Sequence, residues 1–351
     1  MEVVAPGWQF ASDNTAGICP EAWDALAQAN VGYAPSYGDD AWTQRASDLI
    51  RELFEHAEAQ VFFVFNGTAA NALGLAALCQ GYHGILCHEQ SHVQSDECGA
   101  PEFFSHGAKL LTVAGSHAKL SPAAMLPIIE RRHDLHSSKP RAVSLSQTTE
   151  WGAVYQPAEI AAVSAFARAH DLALHMDGAR FANALAALSA RGASAADLTW
   201  RAGVDVLSLG GTKCGLNTTE AVVFFNSKLA AQFDYRCKQG GQLASKMRFQ
   251  SSQWVGVLER GAWQRHAAHA NALAAQLAAA LRPIPGVRLM RAVEANAVFL
   301  EMDSRLAEAM AREGWHFHRM GEAGYRLMCS WATRSRDIER FAGDLTRLQR
   351  Q

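Results

Sequence analysis

Long apolar runs are missing from this 351-residue chain: no stretch of about 18 uninterrupted apolar residues occurs, which excludes a membrane-spanning helix. Charge of one sign is missing too. A formal net charge of −2 leaves no basic field for nucleic acid or anionic lipid. The seven cysteines (Cys19, Cys79, Cys87, Cys98, Cys214, Cys237 and Cys329) are odd in number, scattered, and form no Cys-x-x-Cys pair. That excludes a disulfide framework and favours a reducing, cytoplasmic setting. Residues 1–10 lack a basic segment followed by an apolar one, so no signal peptide is expected. What remains is 49% hydrophobic and 19% charged residues, the composition of a globular protein. The length exceeds what one core usually supports, which points to a large and a small domain.

The first 45 residues are punctuated by Pro6, Gly7, Gly17, Pro20, Gly32, Pro35 and Gly38, and read as an irregular arm with a short helix. Apolar strands then alternate with helices: Val61–Phe65, Gly84–Cys87, Lys109–Val113, Arg141–Leu145, Leu172–Met176, Val204–Leu209 and Ala221–Phe225 read as strands. Continuous apolar strands separated by helices require an α/β fold with a mostly parallel central sheet covered on both faces. Residues 46–255 are assigned to this large domain. Trp254–Leu281 reads as one long helix, and residues 256–351 as a smaller α+β domain.

Ligands of open α/β sheets bind beyond the carboxyl ends of the strands. Three segments place polar residues there. Asn66-Gly67-Thr68 joins a strand to a helix, where glycine permits close approach and helix amides favour a phosphate. Asp177-Gly178-Ala179-Arg180 follows a strand; a carboxylate there can hold a pyridine nitrogen protonated and make the ring an electron sink. Gly210-Gly211-Thr212-Lys213-Cys214-Gly215 follows the near-continuous apolar strand Val204–Leu209. Seven lysines occur after residue 100, and only Lys213 sits among small residues that leave room for a cofactor. A desolvated lysine suits Schiff-base chemistry. Each segment alone is also an ordinary turn, but the order phosphate turn, acid, lysine points to pyridoxal phosphate (PLP).

With Ser12-Asp13-Asn14, Tyr37-Gly38-Asp39-Asp40, Phe65–Asn71, His92, Glu97, His175–Arg180, Gly211-Thr212-Lys213 and Arg326, the chain resembles the fold-type-I PLP enzymes of the threonine aldolase and β-eliminating lyase group. Among them it is similar to bacterial low-specificity L-threonine aldolases, including those described as phenylserine aldolases. The resemblance implies cleavage of L-β-hydroxy-α-amino acids (threonine, allo-threonine, phenylserine) to glycine and an aldehyde. It also implies roles by position. Gly67 and Thr68 cradle the phosphate, with Thr212 beside the cofactor. His92 stacks on the ring, Asp177 pairs with its nitrogen, and Arg180 binds its hydroxyl side. Lys213 carries the cofactor. Arg326, assisted by Ser12, clamps the substrate carboxylate, and Tyr37 reaches a neighbouring subunit's site in a dimer or tetramer. Asp96 stands where some members carry an aromatic residue, which leaves space for a bulky β-substituent.

The base that takes the β-hydroxyl proton stays open between His92, a water, and the segment Thr149-Glu150, where many members carry a histidine. His92 is equally readable as a stacking residue alone. Other PLP chemistry (β-elimination, transaldolase) and a non-catalytic PLP-binding protein are the rival readings. His88 and His92 have metal-ligand spacing, but no acidic or cysteine partner pattern accompanies them, so no metal is expected. Lys238, Lys246 and Arg248 form a basic run that reads either as a solvated helix face or as an approach to a partner's phosphate.

Overall fold

The computed structural model describes residues 8–321 and 323–350; Pro6 and Gly7 of the expected arm lie outside them. Thirteen strands occur among the described residues: β1 Trp8–Gln9, β2 Gln60–Val64, β3 His83–His88, β4 Lys109–Val113, β5 Lys139–Ser146, β6 Ala173–Gly178, β7 Val206–Leu209, β8 Glu220–Phe224, β9 Arg288–Leu289, β10 Ala297–Glu301, β11 Trp315–His316, β12 His318–Met320 and β13 Gly324–Met328. The apolar strands of the first two-thirds form one seven-stranded sheet in the order β2-β8-β7-β6-β5-β3-β4. Every residue of β3, β7 and β8 is buried, as strands covered on both faces must be. The sheet is parallel except where β8 pairs antiparallel with both β2 and β7. That reversal delivers Glu220, the first residue of β8, to the edge where the other strands end.

The helix Gly67–Leu78 is buried on nearly every side, and Asn71 is the only polar residue among its buried positions. Ser121 caps the helix Pro122–Glu130 by accepting from Ala124 N, with Pro122 in the first turn. The single helix expected over Trp254–Leu281 is instead two, Arg248–Glu259 and Ala262–Leu281. Gly261 breaks it with φ +61, a left-handed backbone that glycine adopts without strain. Helix-favouring residues on both sides of Gly261 hide that break from a periodicity argument.

A second sheet, in the order β12-β13-β10-β9, packs against the helices Ala262–Leu281 and Ser335–Leu348 through its own apolar cluster. β1 pairs in parallel with β11. The arm then continues beside β13, where Phe10 O accepts from Met328 N at 2.8 Å. Ser12 and Asp13 are thereby carried to the same place as Arg326.

Candidate active site

The turn after β2 begins the helix Gly67–Leu78. Asn66 caps it, its side chain accepting from Ala69 N at 2.8 Å, so the amides of Gly67 and Thr68 at the helix start have no intrahelical acceptor. Apart from its chain neighbours and its own helix backbone, no atom of the described residues lies within 4 Å of where a Gly67 Cβ would stand. Such a helix start, with open space before it, is an anion cradle.

Gly67 and Thr68 share a cavity of about 240 Å³ with Asn14, His92, Asp177, Thr212, Lys213 and Glu220. Asp177, on β6, is buried; Ala179 N donates to its Oδ1 and Asn71 Nδ2 to its Oδ2, each at 3.0 Å. His175, two residues earlier on β6, is fully buried between Ser144 Oγ at 2.9 Å and Ser208 Oγ at 3.0 Å. Burial lowers its pKa to about 4 against the pull of Asp177, so it is neutral at physiological pH. The turn after β7 that presents Lys213 depends on close packing. A Cβ on Gly210 would lie 2.3 Å from Ala179 O, and one on Gly211 2.4 Å from Thr219 O. Any side chain there would displace the lysine.

A second cavity of about 420 Å³ adjoins the first, sharing Asn14, His92 and Lys213. Arg326, Ser12, Arg180, Asp96, Glu150, Trp151 and His318 line it. Burial lowers the Arg326 pKa from its ordinary value, and nearby Arg180 adds to this. Arg180 is a bidentate partner of Asp13, with Nε–Oδ2 2.8 Å and Nη2–Oδ1 2.9 Å, both side chains almost or wholly buried. Burial would raise the Asp13 carboxyl, but Arg180 holds it below the ordinary value. Arg180 is thus anchored from the arm, an arrangement absent from the sequence reading. Asn296 Nδ2 also donates to Asp13 Oδ2 at 3.1 Å.

Of the residues singled out in the sequence, Gly67, Thr68, His92, Asp177, Thr212 and Lys213 share the first cavity, and Ser12, Asp96, Arg180 and Arg326 line the second. Tyr37 lines neither; it is exposed, with Lys238 Nζ 4.7 Å from its ring centre. Thr149 is buried and its hydroxyl donates to His117 O at 2.8 Å, away from the cavities, whereas Glu150 lines the second one. His88 spends both ring nitrogens on backbone, at Gly115 O and Gln90 N. Cys19, Glu21 and His266 bring their ligand atoms within 4.8 Å of one another, outside both cavities and with Arg265 3.4 Å from Glu21.

Besides Asp13 and Asn14, three buried side chains beside the cavities received no role in the sequence reading. Glu97 is buried and accepts from both His92 Nδ1 and Asn71 Nδ2 at 2.8 Å. Asn71 joins it to Asp177. Glu220 accepts from Gly211 N at 2.5 Å and so holds the lysine turn from the reversed strand. For Asn71 and Glu220 the available signal was a polar residue inside an otherwise apolar helix or strand, since buried polar groups are hydrogen-bonded; Glu97, in a polar loop, carried no such signal.

This donor set suits PLP: a free helix start for the phosphate, an open cradle before Gly67, a buried carboxylate for the ring nitrogen and a lysine between them. The family model described as beta-eliminating lyase matches residues 9–305. The chain is 55% identical over 338 residues to a low specificity L-threonine aldolase of a Pseudomonas species, covering 96% of each chain. It is 57% identical over 333 residues to one of Pseudomonas aeruginosa, covering 95% of this chain and 94% of that one. Among solved structures, the threonine aldolase of Leishmania major superposes with a TM-score of 0.89 at 28% identity, covering 97% of this chain and 98% of that one. The chain belongs to the beta-eliminating lyase family.

Proposed function

We propose that this chain is an aldehyde-lyase of the L-threonine aldolase type, cleaving L-β-hydroxy-α-amino acids between Cα and Cβ to glycine and an aldehyde. PLP is the cofactor; when bound, it supplies the electron sink that stabilises negative charge at Cα. The observation that carries the reading is the continuity of the two cavities across Lys213 and His92, with Asp177 at one end and Arg326 at the other.

Each residue has one task. Gly67 and Thr68 hold the phosphate with helix-start amides, and Thr212 supports it from the lysine turn. Asp177 holds the proton at the ring nitrogen. Lys213 would hold the cofactor covalently, at the place where both cavities meet. Arg326 grips the substrate carboxylate as a fork, with Ser12 beside it, and so orients Cα–Cβ. Arg180, fixed by Asp13, faces the ring's hydroxyl side. His92 takes the β-hydroxyl proton. It faces both cavities, whereas the Thr149 hydroxyl is committed to His117 O.

Asp96 borders the cavity that receives the β-substituent, is exposed and accepts from Ser95 Oγ at 2.6 Å. A short acid at this place accommodates an aryl group, so phenylserine is included among the substrates. The proposal also covers the division into residues 1–45, 46–255 and 256–351, a cytoplasmic setting supported by seven unpaired cysteines, and a homo-oligomer in which exposed Tyr37 reaches the partner's site. No described helix is long and apolar enough to cross a membrane.

The test is product analysis with L-threonine. Glycine and acetaldehyde in equal amounts are expected; 2-oxobutyrate with ammonia would instead establish elimination. Phenylserine left untouched beside brisk threonine turnover would remove the assignment of Asp96.

A further inference from the structure

His92 opens the short helix His92–Ser95, and Glu97 follows its end. The helix ends at its cap, Asp96, which leaves Glu97 beside the imidazole, and the chain continues through two left-handed residues, Cys98 (φ +50) and Gly99 (φ +74). Its Oε1 lies 2.8 Å from His92 Nδ1, and the side chain has no exposure to solvent. Asn71, one turn into the helix that begins at Gly67, donates to the same Oε1 at 2.8 Å and to Asp177 Oδ2 at 3.0 Å.

An amide nitrogen carries two hydrogens, and here both go to carboxylates. The flipped amide would set its oxygen against two acids, so its orientation is fixed by its neighbours. An ionised carboxylate only accepts, so the hydrogen between His92 and Glu97 belongs to Nδ1. A neutral His92 then has its lone pair on Nε2, the nitrogen that Glu97 does not engage.

We propose that Glu97 is the positioning residue of His92, holding the imidazole proton on Nδ1 and leaving Nε2 to exchange a proton with the substrate, and that Asn71 locks this setting to Asp177. The kinetic part rests on the reading of His92 as the base; the tautomer does not. The hydrogen bond that Glu97 accepts raises the His92 pKa, burial opposes it, and Asp177 adds to the rise while Lys213 works against it. Asp96, Glu150 and Arg326 border the same space from other elements. Burial raises the Glu97 carboxyl itself, consistent with Oε2 having no hydrogen-bond partner among the described residues.

The test uses the PLP-loaded enzyme with 15N-labelled histidine, the His92 signals being identified by their loss in His92→Asn. In the wild type, Nδ1–H is the expected neutral tautomer; an Nε2–H tautomer overturns the proposal without any variant of Glu97. Glu97→Gln keeps the shape and the accepting Oε1 but not the charge. It is expected to retain the tautomer and to lower the His92 pKa by about one unit. Glu97→Ala is expected to mix the tautomers and lower kcat with little change in KM. A His92 pKa and tautomer unchanged in both variants overturns the proposal; if Glu97→Ala fails to fold, Glu97→Gln alone decides. With His92 as base, the acid limb of kcat/KM moves to lower pH in Glu97→Gln, in step with the imidazole. A shifted imidazole beside an unmoved acid limb supports the positioning and overturns His92 as the base.

Discussion

The two adjoining cavities are built on different principles. In the inner one the buried carboxylates meet specific partners: Asp177 meets Asn71 and Ala179 N, Glu220 meets Gly211 N, and Glu97, behind the wall, meets His92. In the outer one Glu89 and Asp96 are exposed, and a few direct bonds, such as Trp151 Nε1 to Gln90 Oε1 at 2.6 Å, shape the rim. Buried charges without partners cost far more than exposed ones, so the inner wall tolerates little change and the outer rim tolerates much. The chemistry of the reaction resides in the inner wall, and the choice of β-substituent in the outer rim. Arg180 stands at the border, a wall residue of the outer cavity tied down like an inner one.

Substitutions on the two sides should therefore differ in kind. The largest effect is expected for Lys213→Ala, which removes the Schiff-base anchor and so loses the visible imine absorbance and nearly all turnover. Next is Asp13→Asn, which strands the buried Arg180 guanidinium. About 3–5 kcal/mol of stability is expected to disappear in denaturant unfolding, the cost of removing one partner of a buried pair. Its pH dependence has a definite sign. The folded carboxyl titrates below its unfolded value, so the contribution is complete above about pH 4 and is lost as pH falls through the folded value. The stability gap between wild type and Asp13→Asn should hold from neutral pH to about 5 and close below about 4. A gap that widens on acidification would contradict the pairing.

Arg326→Gln should cost about 1.5–3 kcal/mol in kcat/KM for threonine, the range for hydrogen bonds to charged groups, and leave the cofactor's absorbance unchanged. The smallest effect belongs to the rim. Asp96→Ala should alter stability by no more than about 0.5 kcal/mol and change only the ratio of phenylserine to threonine turnover. Destabilisation by Asp96→Ala as large as that by Asp13→Asn would erase the contrast between the two cavities.

The same contrast explains what was legible in the sequence. Asn66-Gly67-Thr68, Asp177 and Lys213 are local events, each a polar residue just beyond an apolar strand, and strand ends are where such sheets bind ligands. The seven-stranded sheet followed from the same runs. The partners did not, because they meet across the chain: Asn71 reaches Asp177 106 positions away, and Arg180 reaches Asp13 167 positions away. Glu220 was hidden by the direction of β8, since an apolar run does not say which way it points. The break at Gly261 was hidden because one glycine in an alanine-rich stretch is compatible with an unbroken helix.

Everything above turns on Lys213 carrying the cofactor at the junction of the two cavities. Borohydride reduction of the PLP-loaded enzyme, followed by proteolysis and mass spectrometry, tests it most directly. A phosphopyridoxyl group is expected on the peptide containing Lys213, and prior addition of excess glycine should prevent that label. A label on Lys238 or Lys246 instead, or one on Lys213 that glycine leaves unchanged, would contradict it.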